Sequence, residues 1–153
     1  MTTSGSPINR SNGLELTVVV PVHNEEGNVD PLLERIVSAL DLFELEIIYV
    51  DDGSTDATPQ RLAAAMLVHP QLRVIRHTRN SGQSTALHTG VRAARAPWIA
   101  TLDGDGQNDP SDIPRLLGIL ESAEPTQHAQ LVVGHRRRRR DNLVARLSSR
   151  IAN

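Results

Sequence analysis

Residues Leu16–Leu40 read LTVVVPVHNEEGNVDPLLERIVSAL. The first five, Leu16–Val20, form a short run rich in β-branched side chains and bounded by Pro21. An unbroken apolar run of that length fits a strand buried on both faces. From Asn28 the rhythm changes: Val29, Leu32, Leu33, Ile36, Val37 and Leu40 recur at helical spacing, and Pro31 falls where a first turn tolerates it. Between strand and helix lies a polar turn, His23-Asn24-Glu25-Glu26.

The rest of the chain repeats that unit. Glu46–Val50 (EIIYV) predicts a second strand, which stops at Asp51-Asp52-Gly53-Ser54. Thr58–Val68 predicts a helix with Pro59 early in it. Leu72–Ile75 predicts a third strand, Ser84–Ala94 a helix, Trp98–Leu102 a fourth strand, and Ser111–Leu120 a helix with Asp112 near its start. Leu131–Val133 predicts a fifth strand, and Asn142–Asn153 a helix on which Leu143, Leu147 and Ile151 recur with Arg146 and Arg150 between them. Strict alternation of this kind implies βαβ units and a mainly parallel sheet covered by helices. Such sheets bind ligands outside the carboxyl ends of their strands. The polar clusters Pro21–Glu26, Asp51–Ser54 and Asp103–Asp105 all follow strands, so they are expected to converge on one edge.

Composition narrows the chemistry. The 153 residues suffice for one domain, and with one Phe, one Trp and one Tyr its core is aliphatic. The absence of cysteine excludes disulfides and thiolate metal sites. No stretch approaches 18 consecutive apolar residues, the length a membrane-spanning helix needs. Residues 1–14 are polar, lack the apolar core of a signal peptide and read as a disordered lead-in. Charge is unevenly spread. Residues 135–153 carry seven arginines and one aspartate, whereas the remainder carries nine arginines against seventeen acids. An acidic body with a basic end suggests partners of different character.

The stretch Thr101–Pro110, TLDGDGQNDP, sets two carboxylates two residues apart with only glycines beside them. Asp103 and Asp105, two apart in an extended segment, point the same way and repel unless a cation lies between them. A hard divalent ion such as Mg2+ or Mn2+ takes oxygen ligands and often completes its shell with substrate phosphate. The flanking glycines leave room for a diphosphate, and Gln107 could offer a further oxygen. A solvated Asp-Gly turn is the plain alternative, and on this loop alone the two readings balance. A calcium loop of the EF-hand kind fails, because the fifth, sixth and twelfth places from Asp103 hold Gln107, Asn108 and Pro114. Asp51 and Asp52 form a second acidic pair that could accept hydrogen bonds from a base or a ribose, while Ser54, Thr55 and Asp56 suit the cap of the next helix. The chain has neither a GxGxxG fingerprint nor a P-loop lysine motif. His23, His77 and His88 lack metal-ligand spacing and read as surface or loop residues. Ser54, Ser81 and Ser84 lack the surroundings of a hydrolase nucleophile.

Four segments carry a resemblance: VVVPVHNEEGNV, IIYVDDGSTDATPQRL, RNSGQSTALHTGVRAARAPWIATLDGDGQNDPSDIPRLL and VVGHRRRRRDNLVARLSSRIAN. In order and spacing they resemble the inverting family-2 glycosyltransferases, and within these the polyprenyl-phosphate glycosyltransferases, the dolichol-phosphate mannosyltransferase-like group. The resemblance implies an α/β, GT-A fold over residues 15–153. It is Rossmann-like, a mainly parallel sheet flanked by helices, and truncated to its donor-binding part with a basic amphipathic end at 135–153. It implies that Pro21, His23, Asn24 and Glu25 line a nucleotide-sugar site, with His23 where the family often has Tyr. Asp51 and Asp52 would hold base and ribose. Asp103 and Asp105 would be the DXD pair and Gln107 the glutamine that follows it, together carrying Mg2+ or Mn2+ on the diphosphate. Arg136 matches the Arg of a GSR segment, with His135 in place of Ser, and would join Asp105 in catalysis through phosphate. Arg150 and Asn153 match an SRxxN segment. The implied reaction moves a sugar, with inversion, from a UDP- or GDP-sugar to a polyprenyl (undecaprenyl or dolichyl) phosphate. The alternatives are a family-2 transferase with a saccharide acceptor in cell-envelope polysaccharide synthesis, or a truncated non-catalytic nucleotide-sugar- or membrane-binding module.

Arg136, Arg137, Arg138, Arg139 and Arg140 run consecutively, with Arg146 and Arg150 beyond. The acidic body and scarcity of aromatic residues argue against a nucleic-acid partner. With Leu143, Val144, Leu147 and Ile151 interleaved, the run fits an anionic membrane surface and its lipid phosphates. A solvated charged loop is the plain alternative; the membrane reading carries the expectation of a cytoplasmic protein, peripheral on the cytoplasmic face of the inner, or plasma, membrane.

Overall fold

The computed structural model describes residues 13–122. Along them alternate β1 (Leu16–Val22), α1 (Val29–Ala39), β2 (Leu45–Asp51), α2 (Thr58–Val68), β3 (Leu72–Arg76), α3 (Gln83–Ala93), β4 (Trp98–Thr101) and α4 (Asp112–Ser122). The four strands pair in parallel in the order β3-β2-β1-β4. This is the α/β, mainly parallel architecture that the sequence predicts, with boundaries moved by a residue or two. The predicted fifth strand, Leu131–Val133, and the predicted helix Asn142–Asn153 lie outside the described residues. The chain divides into two compact units, Met1–Pro114 and Arg115–Asn153. The first holds the sheet. Of the second, residues 115–122 are described, and they continue α4.

Strand β1 does not stop at Pro21 as the sequence suggested. It runs through it, with Pro21 opposite Val50 and Val22 opposite Asp51. The reason lies in the alternation of backbone groups. Val19 O accepts from Leu102 N–H on the β4 side, and Val22 O accepts from Asp52 N–H on the β2 side. Pro21, two residues after Val19, therefore turns its missing N–H toward β4, whose pairing ends at Thr101 opposite Val19. No ladder hydrogen bond is lost, the one circumstance in which a strand accepts proline.

Both faces of the sheet are covered. Every residue of β1 is buried, as is β2 from Glu46 to Asp51. Side chains alternate along a strand, and α3 marks one face through Ala86, which packs with Ile48 and Val50. Val18, Val20, Ile47 and Tyr49 point the other way and have no exposed surface. That side is closed by α1 and α2, whose buried positions Val29, Leu32, Leu33, Ile36, Leu62 and Ala65 carry the helical repeat. Double burial is why the strands read as continuous apolar runs rather than as alternating ones.

A buried acid pins the end of the sheet where the strands begin. Glu46 Oε2 accepts from Thr17 Oγ1–H at 2.8 Å and from Arg95 N–H at 3.0 Å, while Oε1 accepts from Arg73 Nη1 at 2.6 Å. Burial pushes this carboxyl up, but the hydrogen bonds from Arg73, Thr17 and the Arg95 amide outweigh it and hold it below the usual range. Arg73 also donates to Ala93 O at 3.2 Å, which ties the last turn of α3 to β3.

Helix α3 lies close enough to the sheet to need a glycine. A Cβ on Gly90 would stand 2.3 Å from Val19 Cγ1 and 3.1 Å from Val50 Cγ2. Gly90→Ala is therefore expected to lower the free energy of unfolding by about 2 kcal/mol, the usual cost of overpacking a core. Urea denaturation measures it. Unchanged stability would mean that α3 has room to retreat.

Candidate functional site

The turns that leave the carboxyl ends of β1 and β2 hold each other. Asn24 N–H donates to Ser54 Oγ at 2.9 Å, and Thr55 N–H returns a bond to Asn24 Oδ1 at 2.8 Å. Asn24 takes φ = 55° to do this, a conformation that asparagine tolerates better than most residues. Glu25 N–H donates to Thr58 Oγ1, and Ala57 N–H donates to Glu26 Oε2. The first turn of α2 is thus capped partly from the other loop, while Asp56 Oδ1 takes Thr58 N–H. Asn28 Nδ2 donates to Glu25 Oε2 at 2.6 Å.

Asp51 and Asp52 are both buried but do different work. Asp51 Oδ1 takes Ser54 N–H at 2.9 Å, and its Oδ2 forms an ion pair with Arg76 Nε at 3.0 Å, without the alignment of a hydrogen bond. Asp52 grips the turn before α3. Its Oδ1 accepts from His77 Nδ1–H at 2.7 Å and Ser81 N–H at 2.9 Å, and its Oδ2 accepts from Gly82 N–H at 2.7 Å. Burial pushes the Asp52 carboxyl up, but the bonds from His77, Ser81 and Gly82 more than offset it and hold it below the usual carboxylate range. His77 is consequently no surface histidine. Its side chain is 16 % exposed, and its Nε2 lies 3.0 Å from Thr89 Oγ1 on α3.

The segment after β4 folds back over the end of β1. A Cβ on Gly104 would stand 2.6 Å from Val22 Cγ1 and 2.8 Å from Pro21 O, so only glycine permits this approach. Asp103 Oδ1 accepts from Gln83 Nε2–H at 2.8 Å, and Asp105 Oδ1 accepts from Gln107 N–H at 3.0 Å. Arg35, on α1, donates to Gly106 O at 2.9 Å and Asn108 O at 3.1 Å. Asp109 takes Ser111 N–H at 3.1 Å at the start of α4. The bonds from Ser111 hold its carboxyl below the usual range against partial burial, with help from Arg35.

These turns enclose a cleft of about 400 Å3. Of the residues expected at a site, Pro21, His23, Glu25, Asp52, Asp103 and Asp105 line it together. Asn24, Asp51 and Gln107 do not, and Arg136–Arg140 and Arg150 lie outside the described residues. His23 is fixed from behind, its Nδ1 2.9 Å from Asp52 O. The sequence reading missed Asn80, Gly82 and Gln83 on the cleft wall, and His77 behind it. The only signal for the first three was the segment RNSGQ, Arg79–Gln83, which stands between two predicted elements.

Two carboxylates lining one cleft present hard oxygen donors of the kind Mg2+ and Mn2+ take. Such ions bind through one or two carboxylates plus substrate phosphates rather than in a protein cage. Among the described residues, no group of three or more His, Asp or Glu could hold a metal unaided. Asp103 and Asp105 therefore fit a cation that arrives with, or is completed by, an anionic ligand.

Known proteins resemble the chain in sequence and in fold. The glycosyl transferase family 2 model matches residues 17–150. The chain is 43% identical over 155 residues to the dodecaprenyl-phosphate galacturonate synthase of Rhizobium johnstonii, covering 95% of this chain and 44% of that protein. It is 37% identical over 143 residues to the undecaprenyl-phosphate 4-deoxy-4-formamido-L-arabinose transferase of Proteus mirabilis, covering 91% and 42%. It thus spans less than half the length of these relatives. Among solved structures it resembles the mannosyltransferase PcManGT of Pyrobaculum calidifontis in complex with GDP-Man and Mn2+. The TM-score there is 0.64 at 29% identity, over 74% of this chain and 33% of that one. The fold also matches S. aureus TarS 1–349 in complex with UDP-GlcNAc, with a TM-score of 0.60 at 23% identity over 71% and 31%.

Asp52 gives the site its pH limit. A carboxyl held below its unfolded value contributes stability above that value, about 3.9. The contribution is lost as pH falls through the folded one. Asp52→Asn presents an NH2 where N–H donors converge, so it is expected to cost roughly 2 kcal/mol. It should also remove the part of the acid-induced loss of stability that begins below about pH 4. Urea titrations of both proteins at pH 7 and pH 3.5 measure this; equal losses in both would refute it.

Proposed function

The chain belongs to glycosyl transferase family 2, and from that premise we propose that its cleft binds a nucleoside-diphosphate sugar with a divalent cation, for transfer of the sugar to a polyprenyl phosphate. The observation that carries this is the meeting of Asp103 and Asp105 with His23 and Asp52 on one cleft. A nucleotide sugar needs a polar place for its nucleoside and neutralised charge for its diphosphate, and one wall of the cleft suits each. The relatives named above act on dodecaprenyl- and undecaprenyl-phosphate, which supports a lipid phosphate as acceptor.

In this reading His23 and Asp52 face the nucleoside. Asp51 stands behind them and shapes the turn to Ser54 rather than touching the ligand. Asp103 and Asp105 would hold Mg2+ or Mn2+ for the diphosphate, and Gln107 supports Asp105 through its backbone N–H. The cation supplies neutralisation of the charge that develops on the departing diphosphate. The acceptor phosphate oxygen attacks the anomeric carbon from the face opposite the leaving group. One C–O bond forms as the other breaks, so the sugar is inverted. That oxygen is already anionic near neutral pH, so no protein base is required. Asp52 is engaged by His77, Ser81 and Gly82 and is poorly placed to act as one.

The arginine run Arg136–Arg140, with Arg150 beyond it, is assigned to phosphate and to anionic lipid on the cytoplasmic face of the membrane. No helix among the described residues is long and apolar enough to cross a bilayer. Peripheral attachment through basic residues is consistent with that finding.

Nucleotide binding tests the reading directly. Trp98, the only tryptophan, opens the strand that leads to the acidic loop. Its fluorescence is expected to report saturable binding of UDP or GDP in the presence of Mn2+, and no binding of AMP. EDTA or Asp105→Ala should weaken that binding at least about tenfold, or roughly 1.4 kcal/mol. Diphosphate affinity that ignores both changes would refute the metal-assisted site.

A further inference from the structure

The acidic loop after β4 is held by two side chains that belong to none of the acidic clusters. Gln83 opens α3, lines the cleft and donates its amide N–H to Asp103 Oδ1 at 2.8 Å. Arg35 comes from α1, far earlier in the chain. Its Nη1 donates to Gly106 O at 2.9 Å and its Nη2 to Asn108 O at 3.1 Å, and Nη2 lies 3.8 Å from Asp109 Oδ1. One tether fixes the first carboxylate. The other fixes the backbone just beyond the second. Asp105 lies between them.

We infer that Gln83 and Arg35 are positioning residues for the cation held by Asp103 and Asp105. This rests on the reading of the cleft as a metal-assisted diphosphate site. Two like charges on a short glycine-containing loop would swing apart if the loop were free. Tethering shifts the entropic cost of holding them together from cation binding to folding. The chemistry of each tether suits the task. A neutral amide occupies one oxygen of Asp103, orients the carboxylate, leaves the second oxygen for a cation and adds no positive charge. A guanidinium is a planar fork that reaches two carbonyl oxygens at once, which an ammonium on a flexible stem does not reproduce. Supporting contacts of this kind set metal affinity nearly as strongly as the ligands do.

The sign of the effect separates positioning from simple charge. If Arg35 acted on a nearby cation only through its own charge, removing that charge would tighten cation binding. Positioning predicts weaker binding, and predicts it for lysine as well as for glutamine. The experiment measures binding of Mn2+ to the full chain in the presence of saturating UDP or GDP, with protein-bound Mn2+ followed by electron paramagnetic resonance. The proteins are wild type, Gln83→Met, Arg35→Lys and Arg35→Gln. Both side chains are exposed, so the variants should fold, and thermal unfolding in EDTA checks this. Each substitution is expected to raise the dissociation constant for Mn2+ about tenfold. In EDTA, both Arg35 variants should also show faster amide exchange across residues 105–109. Wild-type affinity in Gln83→Met overturns the role of Gln83. Wild-type affinity in Arg35→Lys, or tighter binding in Arg35→Gln, overturns that of Arg35. A wild-type chain that binds no Mn2+ with either diphosphate present overturns the metal reading of the cleft and this inference together.

Discussion

Asp52 accepts hydrogen bonds from three donors in the segment that joins β3 to α3, and the cleft depends on that grip. A parallel sheet delivers its strands to one edge, but it does not fix the turns beyond that edge. Here the turns are fixed by one another. Asp52 draws in Ser81 and Gly82, and this sets the first residue of α3, Gln83, within reach of Asp103. The turns after β1 and β2 exchange bonds through Asn24, Ser54 and Thr55. A charged acceptor with several donors is worth more than a neutral one, and burial raises the cost of leaving it unsatisfied. The site is rigid because its loops share polar partners, without a regular element running through them.

Near the other end of β2 lies a further buried acid. Glu46 gathers Thr17, Arg73 and the Arg95 amide where the strands begin, as Asp52 gathers donors where β2 has just ended. Between them lie Ile47, Ile48, Tyr49 and Val50, all fully buried, and the buried acid Asp51. Helix α3 is thereby held at both ends: its start through Gly82 to Asp52, and its last turn through Ala93 O to Arg73 and Glu46. The close approach of Gly90 to Val19 between these points has little freedom to relax. Fold stability and site geometry are therefore linked along a single helix.

The fold was legible in the sequence because it rests on periodicity. Runs such as LTVVV and EIIYV, separated by helical repeats, specify a doubly covered parallel sheet whatever the details of its loops. Pro21 was misread because its tolerance depends on where β4 stops, which is a fact about another strand. The acidic pairs were legible as clusters, since Asp103 and Asp105 are close in the chain. The difference between Asp51 and Asp52 was not, because it depends on which of them meets His77, Ser81 and Gly82 across the sheet. His77, Gln83 and Arg35 escaped for the same reason. Arg35 looks like any charged residue on the outer face of a helix, and only folding shows that its guanidinium meets Gly106 and Asn108, more than seventy residues away.

Family membership places the chain among transferases, while the cleft shows how its own residues could serve one. The nucleoside end would be defined by His23 and Asp52, the diphosphate end by Asp103 and Asp105, and each is supported by side chains outside the motifs. The claim that joins these parts is that a divalent cation sits on the loop after β4 when a nucleoside diphosphate is bound. Nuclear magnetic resonance of the isotopically labelled chain, with substoichiometric Mn2+ added beside UDP or GDP, tests it most directly. The account predicts that paramagnetic broadening centres on the amides of Gly104, Gly106 and Gln107 and reaches Gly82 and Gln83. The acidic residues at the other end of the sheet, Glu15 and Glu44, should stay sharp. Broadening spread evenly over the acidic surface, or focused away from the cleft, would contradict it.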